Sequence, residues 1–247
     1  MRALDVAALA LNASLYAALG YVFYYILPLT APGFGTVRFW PSVIVPAVFA
    51  ALFGPWVGGF GAAIGIFISD MLIHGNPILS LMAGVTSNFA MFAIIGYVAK
   101  KKIDWKISML AFGMLSGLLI WISYNVLSSD LASMFSVVIV ISYAVLLVVI
   151  GLTKRLRGFE AGCMVGLLVG SSIIGLMVPV FSQFFMMPGN TELTHLTVVA
   201  GFVYVVFTFA TEIVFLVGPA SLILYICYRA FPNLDYSRKG TDSETKG

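Results

Sequence analysis

Two acidic residues, Asp70 and Glu212, stand inside long apolar stretches of the sequence. A carboxylate inside a membrane costs about 2.5 to 3.5 kcal/mol on insertion scales, so it is protonated, paired or in contact with a wet cavity. Asp70 could also belong to a polar outer rim. Glu212 is either a protonated acid bonded to Thr208 or Thr211, or a group that faces such a cavity. The two acids are therefore the first candidates for a ligand site.

Other polar and aromatic residues, predicted at or near one surface, offer recognition chemistry. Aromatic walls with a few polar groups suit a small-molecule pocket, although aromatic residues also form the interfacial belts of membrane proteins. Arg38 could hold a carboxylate or phosphate, or pair with Glu192 or Asp130. The residues that we predict to bind substrate are Arg38, Trp40, Asp70, His74, Asn76, Asn88, Trp121, Asn125 and Glu212.

The usual motifs of catalysis do not occur in this sequence. It contains no Gly-x-Ser-x-Gly, no His-Glu-x-x-His and no P-loop, so we predict that the protein is not an enzyme and does not itself hydrolyse ATP. The two histidines, His74 and His195, fall in different loops, and the spacing of Cys163 and Cys227 does not fit a zinc knuckle. We predict no cofactor, no metal and no disulfide. Because the positive charges fall into separate loops, we also predict no nucleic-acid partner.

The elements that must position these residues are transmembrane helices. The chain has 247 residues, of which 61% are hydrophobic and 9% charged, whereas soluble domains are about 25% charged. We therefore predict an all-α, polytopic bundle in a lipid bilayer. A span needs about 20 apolar residues. Polar breaks give eight segments: Val6 to Leu27, Trp40 to Phe53, Val57 to Ile73, Ile78 to Ala99, Ile107 to Leu127, Leu131 to Leu152, Ala161 to Phe181 and Val198 to Tyr228.

The distribution of positive charge predicts the orientation, since Lys and Arg collect in cytoplasmic loops. With the N-terminus inside, every one of the 13 Lys and Arg residues except Arg38 falls on the cytoplasmic side. We predict a multi-pass protein of the plasma membrane with both termini in the cytoplasm. Residues 1–232 form one transmembrane domain, and 233–247 form a disordered tail. The second segment is short enough to enter only partway, and Gly218-Pro219 should kink the last one.

The N-terminal part of the sequence resembles the substrate-binding (S) components of energy-coupling-factor transporters. The likeness covers roughly the first hundred residues. It rests on Ala10-Leu11-Asn12-Ala13-Ser14-Leu15-Tyr16-Ala17-Ala18-Leu19, on Arg38-Phe39-Trp40-Pro41 and on Phe53-Gly54-Pro55-Trp56-Val57-Gly58-Gly59. S components are small membrane proteins, usually of six helices, that capture vitamins or other micronutrients. The eight segments counted here would then be a core of six with two additions, or would include partial spans.

The resemblance also implies partners and surfaces. In the family, the S component delivers its substrate together with a coupling transmembrane protein and two ATPases. Small residues of the first helix dock the coupling protein, which here implies Ala13 and Ala17, or the adjoining Ala10 and Ser14. The first outer loop closes over the substrate, which here implies a lid from Leu29 to Phe39.

Two other functions fit the sequence. A stand-alone secondary transporter would show repeated halves with broken helices, and Phe53-Gly54-Pro55 is weakly similar to Val217-Gly218-Pro219. A non-catalytic accessory subunit of a larger membrane complex would have the same composition. Proteins that copurify with the chain would separate these alternatives.

Overall fold

The computed structural model describes residues 3–29 and 38–231, and every regular element in these two ranges is a helix. The predicted tail, 233–247, and residues 30–37 of the predicted lid lie outside the described residues. Seven of the helices are long and apolar enough to cross a membrane, as the sequence predicts for a helical membrane bundle. The helices are α1 (Ala3–Ile26), α2 (Pro41–Phe53), α3 (Pro55–Ile73), α4 (Pro77–Val98), α5 (Trp105–Val126), α6 (Ser129–Leu152), α7 (Lys154–Phe184) and α8 (Val198–Ala230).

Each predicted segment corresponds to one of these helices, but the second does not have the length of a span. Helix α2 begins at Pro41 and ends at Phe53, where Gly54 adopts a φ of 104° that favours glycine. The described residues therefore contain seven helices of spanning length and one short apolar helix, instead of eight spans. In α8 the stretch Leu216–Ala220 around Gly218-Pro219 is π-helical, as expected where a proline removes a backbone donor.

The helices pack in a connected series in which glycines allow close approach. Helix α1 packs on α3, α3 on α4, α4 on α7, and α7 on α8, while α5 and α6 form a hairpin beside α8. A Cβ atom at Gly65 of α3 would lie 2.8 Å from the carbonyl oxygen of Ala13, and one at Gly166 of α7 would lie 2.6 Å from that of Met91. Small residues provide the contact area between helices in a membrane, where hydrophobic side chains gain nothing by leaving the lipid.

This packing corrects one of the surfaces implied by the family resemblance. Ala13 and Ala17 are 5% and 6% exposed, and the Ser69 hydroxyl of α3 donates to the Ala17 carbonyl oxygen at 3.0 Å. They pack inside the molecule because α3 lies on that side of α1, so they cannot form a docking face for another chain. Ala10 and Ser14 are exposed.

The loops that carry most of the positive charge meet at one end of the bundle. A Cβ atom at Gly54 would lie 2.8 Å from Nζ of Lys100, and one at Gly158 would lie 2.7 Å from the carbonyl oxygen of Lys101. The turn between α2 and α3, the loop after α4 and the start of α7 are therefore neighbours. Arg38, which the charge count sets apart, is paired with Asp70 near the end of α3 that lies farthest from this turn.

Candidate functional site

A cavity of about 80 Å³ lies between α3, α4, α7, α8 and the residues that precede α2. Its walls mix apolar side chains, such as Ile66, Ile174 and Val178, with charged and polar ones. Six of the nine residues predicted to bind substrate line it: Arg38, Trp40, Asp70, His74, Asn88 and Glu212.

Asp70 is the centre of a buried polar cluster on one side of this cavity. The Arg38 guanidinium donates through Nη2 to Asp70 Oδ1 at 2.5 Å, and the Ser80 hydroxyl donates to Oδ2 at 2.7 Å. The side chains of Arg38 and Asp70 are only 8% and 5% exposed. The predicted pairing of Arg38 with Glu192 or Asp130 is therefore wrong, because its charge is already balanced by Asp70.

The turn after α3 holds the His74 ring beside Asp70. Its Nε2 lies 3.4 Å from Asp70 Oδ1, one helical turn away in sequence. Its Nδ1 accepts a hydrogen bond from the backbone N–H of Asn76 at 3.1 Å. Gly75 allows the turn with a φ of 65°. Asn76 itself caps α4 by accepting from the Leu79 N–H at 3.0 Å, so it supports the cluster without lining the cavity.

A π-helical stretch in α4, Ser80–Val85, brings this helix close to Asp70. A Cβ atom at Gly84 would lie 2.6 Å from Asp70 Oδ2, so only glycine leaves room for the carboxylate there. The same stretch places the Ser80 hydroxyl on Asp70. Single π turns inside α-helices occur frequently at functional sites, and nothing in the sequence pattern of α4 predicts this one.

Arg38 is held by aromatic rings as well as by Asp70. Its guanidinium carbon lies 5.5 Å from the centre of the Tyr24 ring and 5.1 Å from that of Trp40. The adjacent Phe39 donates its backbone N–H to the Leu29 carbonyl oxygen at 2.8 Å, and its ring packs edge-on against Phe215 of α8 at 5.3 Å. The two ends of the predicted lid therefore meet beside the cavity.

Asn88 joins α4 to α1. Its Oδ1 accepts from the Tyr16 hydroxyl at 2.5 Å, and its Nδ2 donates to the Gly84 carbonyl oxygen at 2.8 Å. Tyr16 was not among the predicted site residues. A signal existed in the sequence, since Tyr16 follows Asn12 by one helical turn, and Asn12 is also buried and donates to the Val57 carbonyl oxygen at 3.1 Å.

Glu212 and Thr208, one turn apart on α8, form a different side of the cavity. They are 5% and 1% exposed. Among the described residues, neither Glu212 Oε2 nor Thr208 Oγ1 has a hydrogen-bond partner. Thr211 Oγ1 donates instead to the Phe207 carbonyl oxygen at 2.7 Å. Of the two sequence-based interpretations of Glu212, the structure therefore favours a carboxyl group that faces a cavity.

The structure does not bring Trp121 and Asn125 to the cavity. Trp121 is 64% exposed, and Asn125 Nδ2 donates back to the Trp121 carbonyl oxygen at 2.7 Å. Both lie on α5, which contacts mainly α6 and α8 at the edge of the bundle and turns these two side chains outward. One further buried acid was missed: Glu160 is fully buried in α7 and accepts a hydrogen bond from Ser221, away from the cavity.

Compared with models of protein families, with curated proteins and with solved structures, the chain matches none of them.

Proposed function

We propose that this protein binds a small molecule inside a membrane-embedded helical bundle and delivers it to a transport complex. The observation that carries the proposal is the cavity lined by Arg38, Asp70, His74, Asn88 and Glu212. Charged and amide side chains are costly inside a membrane, and their usual role there is to bind a substrate or an ion. The sequence contains none of the catalytic motifs considered above that would give these side chains another role.

The proposed machinery is an energy-coupling-factor importer, in which the chain is the S component and its substrate a vitamin or related micronutrient. A separate coupling transmembrane protein and two ATPases would supply the energy. The resemblance of the N-terminal sequence supports this. We propose the plasma membrane as the location, with both termini and the loop after α4 in the cytoplasm and Arg38 toward the outside.

The size of the cavity supports a capture step that involves movement. Ligand pockets commonly measure about 300 to 1,000 Å³, and this cavity measures about 80 Å³. A vitamin-sized ligand therefore requires the walls to separate. We propose that residues 29–39 act as the lid, since Phe39 at one end of this segment contacts Phe215 of α8.

For docking of the coupling protein, we propose the exposed face of α1 that contains Ala10 and Ser14. Small side chains let another helix approach closely. Ala10→Trp should leave ligand binding intact and abolish ATP-driven uptake. Met114→Trp, at a residue of α5 that is 70% exposed, is the control and should leave both unchanged.

One observation favours a second function. The π-helical stretch Leu216–Ala220 interrupts α8 four residues after Glu212, and interrupted helices are typical of stand-alone secondary transporters. A third, an accessory subunit of a larger complex, fits the composition alone.

Purification from native membranes distinguishes these functions. The tagged protein should retain a small molecule, detected by mass spectrometry, together with a coupling protein and two ATPases. A ligand without ATPases would indicate the secondary transporter. No ligand, but a stable complex with other membrane proteins, would indicate an accessory subunit and overturn the proposal.

A further inference from the structure

The formal charges around the cavity do not balance. Arg38 and Asp70 form an ion pair at 2.5 Å and cancel each other. His74 belongs to the same group, since its Nε2 lies 3.4 Å from Asp70 Oδ1. Among the described lining residues, Glu212 is then the acidic side chain that has no cationic side chain beside it, and its Oε2 has no hydrogen-bond partner there. A buried, unpaired carboxylate is strongly unfavourable unless another group neutralises it.

We propose that the cavity binds an organic cation whose positively charged nitrogen pairs with Glu212. This inference rests on the proposed small-molecule function and names its substrate class. Glu212 Oε2 would accept an N–H bond from the ligand, and Thr208 Oγ1, one turn earlier on α8, offers a second polar contact. Both atoms are buried and without a hydrogen-bond partner in the part of the chain that the structure describes.

The composition of the wall favours an organic cation over a metal ion. Calcium takes six to eight oxygen ligands and magnesium near-octahedral coordination. In the described ranges no group of three His, Cys, Asp or Glu residues could hold a metal. Ile66, Ile174 and Val178 line the same cavity and would contact a carbon skeleton. A ligand with an ammonium or amidinium group on an apolar body could contact both Glu212 and these apolar side chains.

The Asp70 side of the cavity offers a third contact for the ligand, after Glu212 and Thr208. Arg38 Nη1 has no hydrogen-bond partner among the described residues, while its Nη2 is committed to Asp70. It would donate to an oxygen or ring-nitrogen acceptor on the ligand. This differs from the sequence-based hypothesis of an anionic ligand, because the charge of Arg38 is already cancelled.

The test uses a pair of probes that differ mainly in charge: benzamidine, a cation with N–H donors, and neutral benzamide. Binding to the purified full-length protein is measured by calorimetry. We expect benzamidine to bind more tightly than benzamide, and Glu212→Gln to weaken benzamidine binding by about 10- to 150-fold, the range for a hydrogen bond to a charged group. Thr208→Val, which retains the carboxylate, should weaken it less.

The matched control is Glu160→Gln, which removes a buried carboxylate elsewhere in the molecule and should leave the preference for benzamidine unchanged. Equal binding of the two probes by the wild type, or unchanged benzamidine binding by Glu212→Gln and Thr208→Val, would overturn the inference. Glu212-dependent stabilisation by sodium chloride alone, without benzamidine binding, would overturn it in favour of an inorganic cation.

A second measurement separates this inference from the proposed function. Immobilised protein is exposed to a small-molecule extract of cells, and the retained compounds are identified by mass spectrometry. Retention of a cationic nitrogen compound by the wild type but not by Glu212→Gln supports both. A retained anionic or uncharged compound overturns the inference and leaves the proposed function intact. Retention of nothing overturns both.

Discussion

Asp70 and Glu212 are two acids of one cavity, buried to nearly the same degree at 3% and 5% exposure, yet their surroundings are opposite. Asp70 accepts from Arg38 and Ser80 and lies beside His74. Glu212 Oε2 has no hydrogen-bond partner among the described residues. Burial alone therefore does not tell what an intramembrane acid does. The Asp70 side is held together by contacts within the chain, whereas on the Glu212 side we propose that a ligand supplies the missing contact.

The largest effect is expected when the ion pair on the Asp70 side of the cavity is removed. Arg38→Met leaves Asp70 buried without its cation, and removal of one partner of a buried pair costs about 3 to 5 kcal/mol. We expect a loss of this order in the free energy of unfolding, measured by titration with sodium dodecyl sulfate from mild detergent. Adding Asp70→Asn to Arg38→Met should restore much of it. A single variant as stable as the wild type would show that the pair contributes no net stability.

The next largest effect is expected from a substitution that disturbs the packing of α1 on α3, the helix that carries Asp70. In Gly65→Ala the new methyl group would lie 2.8 Å from the Ala13 carbonyl oxygen and 3.0 Å from two carbon atoms of Tyr16. Overpacking of this kind costs about 1 to 3 kcal/mol. Gly117→Ala is the control, because its methyl group would meet nothing within 4 Å. Equal melting temperatures of the two variants would contradict the close packing of α1 on α3.

A smaller effect is expected where α1 meets α4. Tyr16→Phe removes the hydroxyl that donates to Asn88 Oδ1. Since Asn88 lies beside the cavity and retains its bond to the Gly84 carbonyl oxygen, we expect a loss of about 1 kcal/mol. The measurement is the same denaturant titration. The comparison variant is Tyr143→Phe, which removes a hydroxyl that donates to the Met109 carbonyl oxygen at 2.9 Å within the hairpin of α5 and α6. A loss as large as that of Arg38→Met would contradict this ranking and show that the Tyr16–Asn88 contact contributes as much to stability as the ion pair.

The smallest expected effect is the change in unfolding free energy caused by Glu212→Gln, and its sign distinguishes the Glu212 side of the cavity from the Asp70 side. Glu212→Gln keeps the shape of the side chain and replaces a carboxyl group whose Oε2 has no hydrogen-bond partner among the described residues, so the free energy of unfolding of the ligand-free protein should stay within about 1 kcal/mol of the wild type or rise slightly. Asp70→Asn, the same change on the other side, should be clearly destabilising. If the two variants lose equal stability, the two sides of the cavity do not differ in the way described.

The sequence predicts the helices well because the length of an apolar run is a strong signal in a membrane protein. It also singles out Asp70, Glu212 and Arg38 as candidate site residues. The two acids stand inside apolar stretches, and Arg38 stands apart from the other Lys and Arg residues, which fall in the predicted cytoplasmic loops. It does not predict that Arg38 pairs with Asp70, because 32 residues separate them and only the packed fold brings them together.

Side-chain direction around a helix is the other point at which sequence reasoning fails. Helix α1 carries small residues on several sides, so the pattern cannot tell that Ala13 and Ala17 face α3 while Ala10 and Ser14 face outward. Trp121 and Asn125 are misplaced for the same reason. Polarity indicates that they lie near a membrane surface, but not that α5 lies at the edge of the bundle.

The π-helical stretch Ser80–Val85 also determines the direction in which the residues after it point, relative to the residues before it in α4. An α-helix turns by about 100° per residue, and a π turn accommodates one residue more than an α turn would. Deleting a single residue there would restore a regular helix that still has the length to cross a bilayer. It would also rotate the segment that carries Asn88 by about 100° relative to the cap at Asn76. A change in length within α4 should therefore leave a helix long enough to cross the bilayer, but it should displace both Asn88 at the cavity and Met91, which packs against Gly166 of α7.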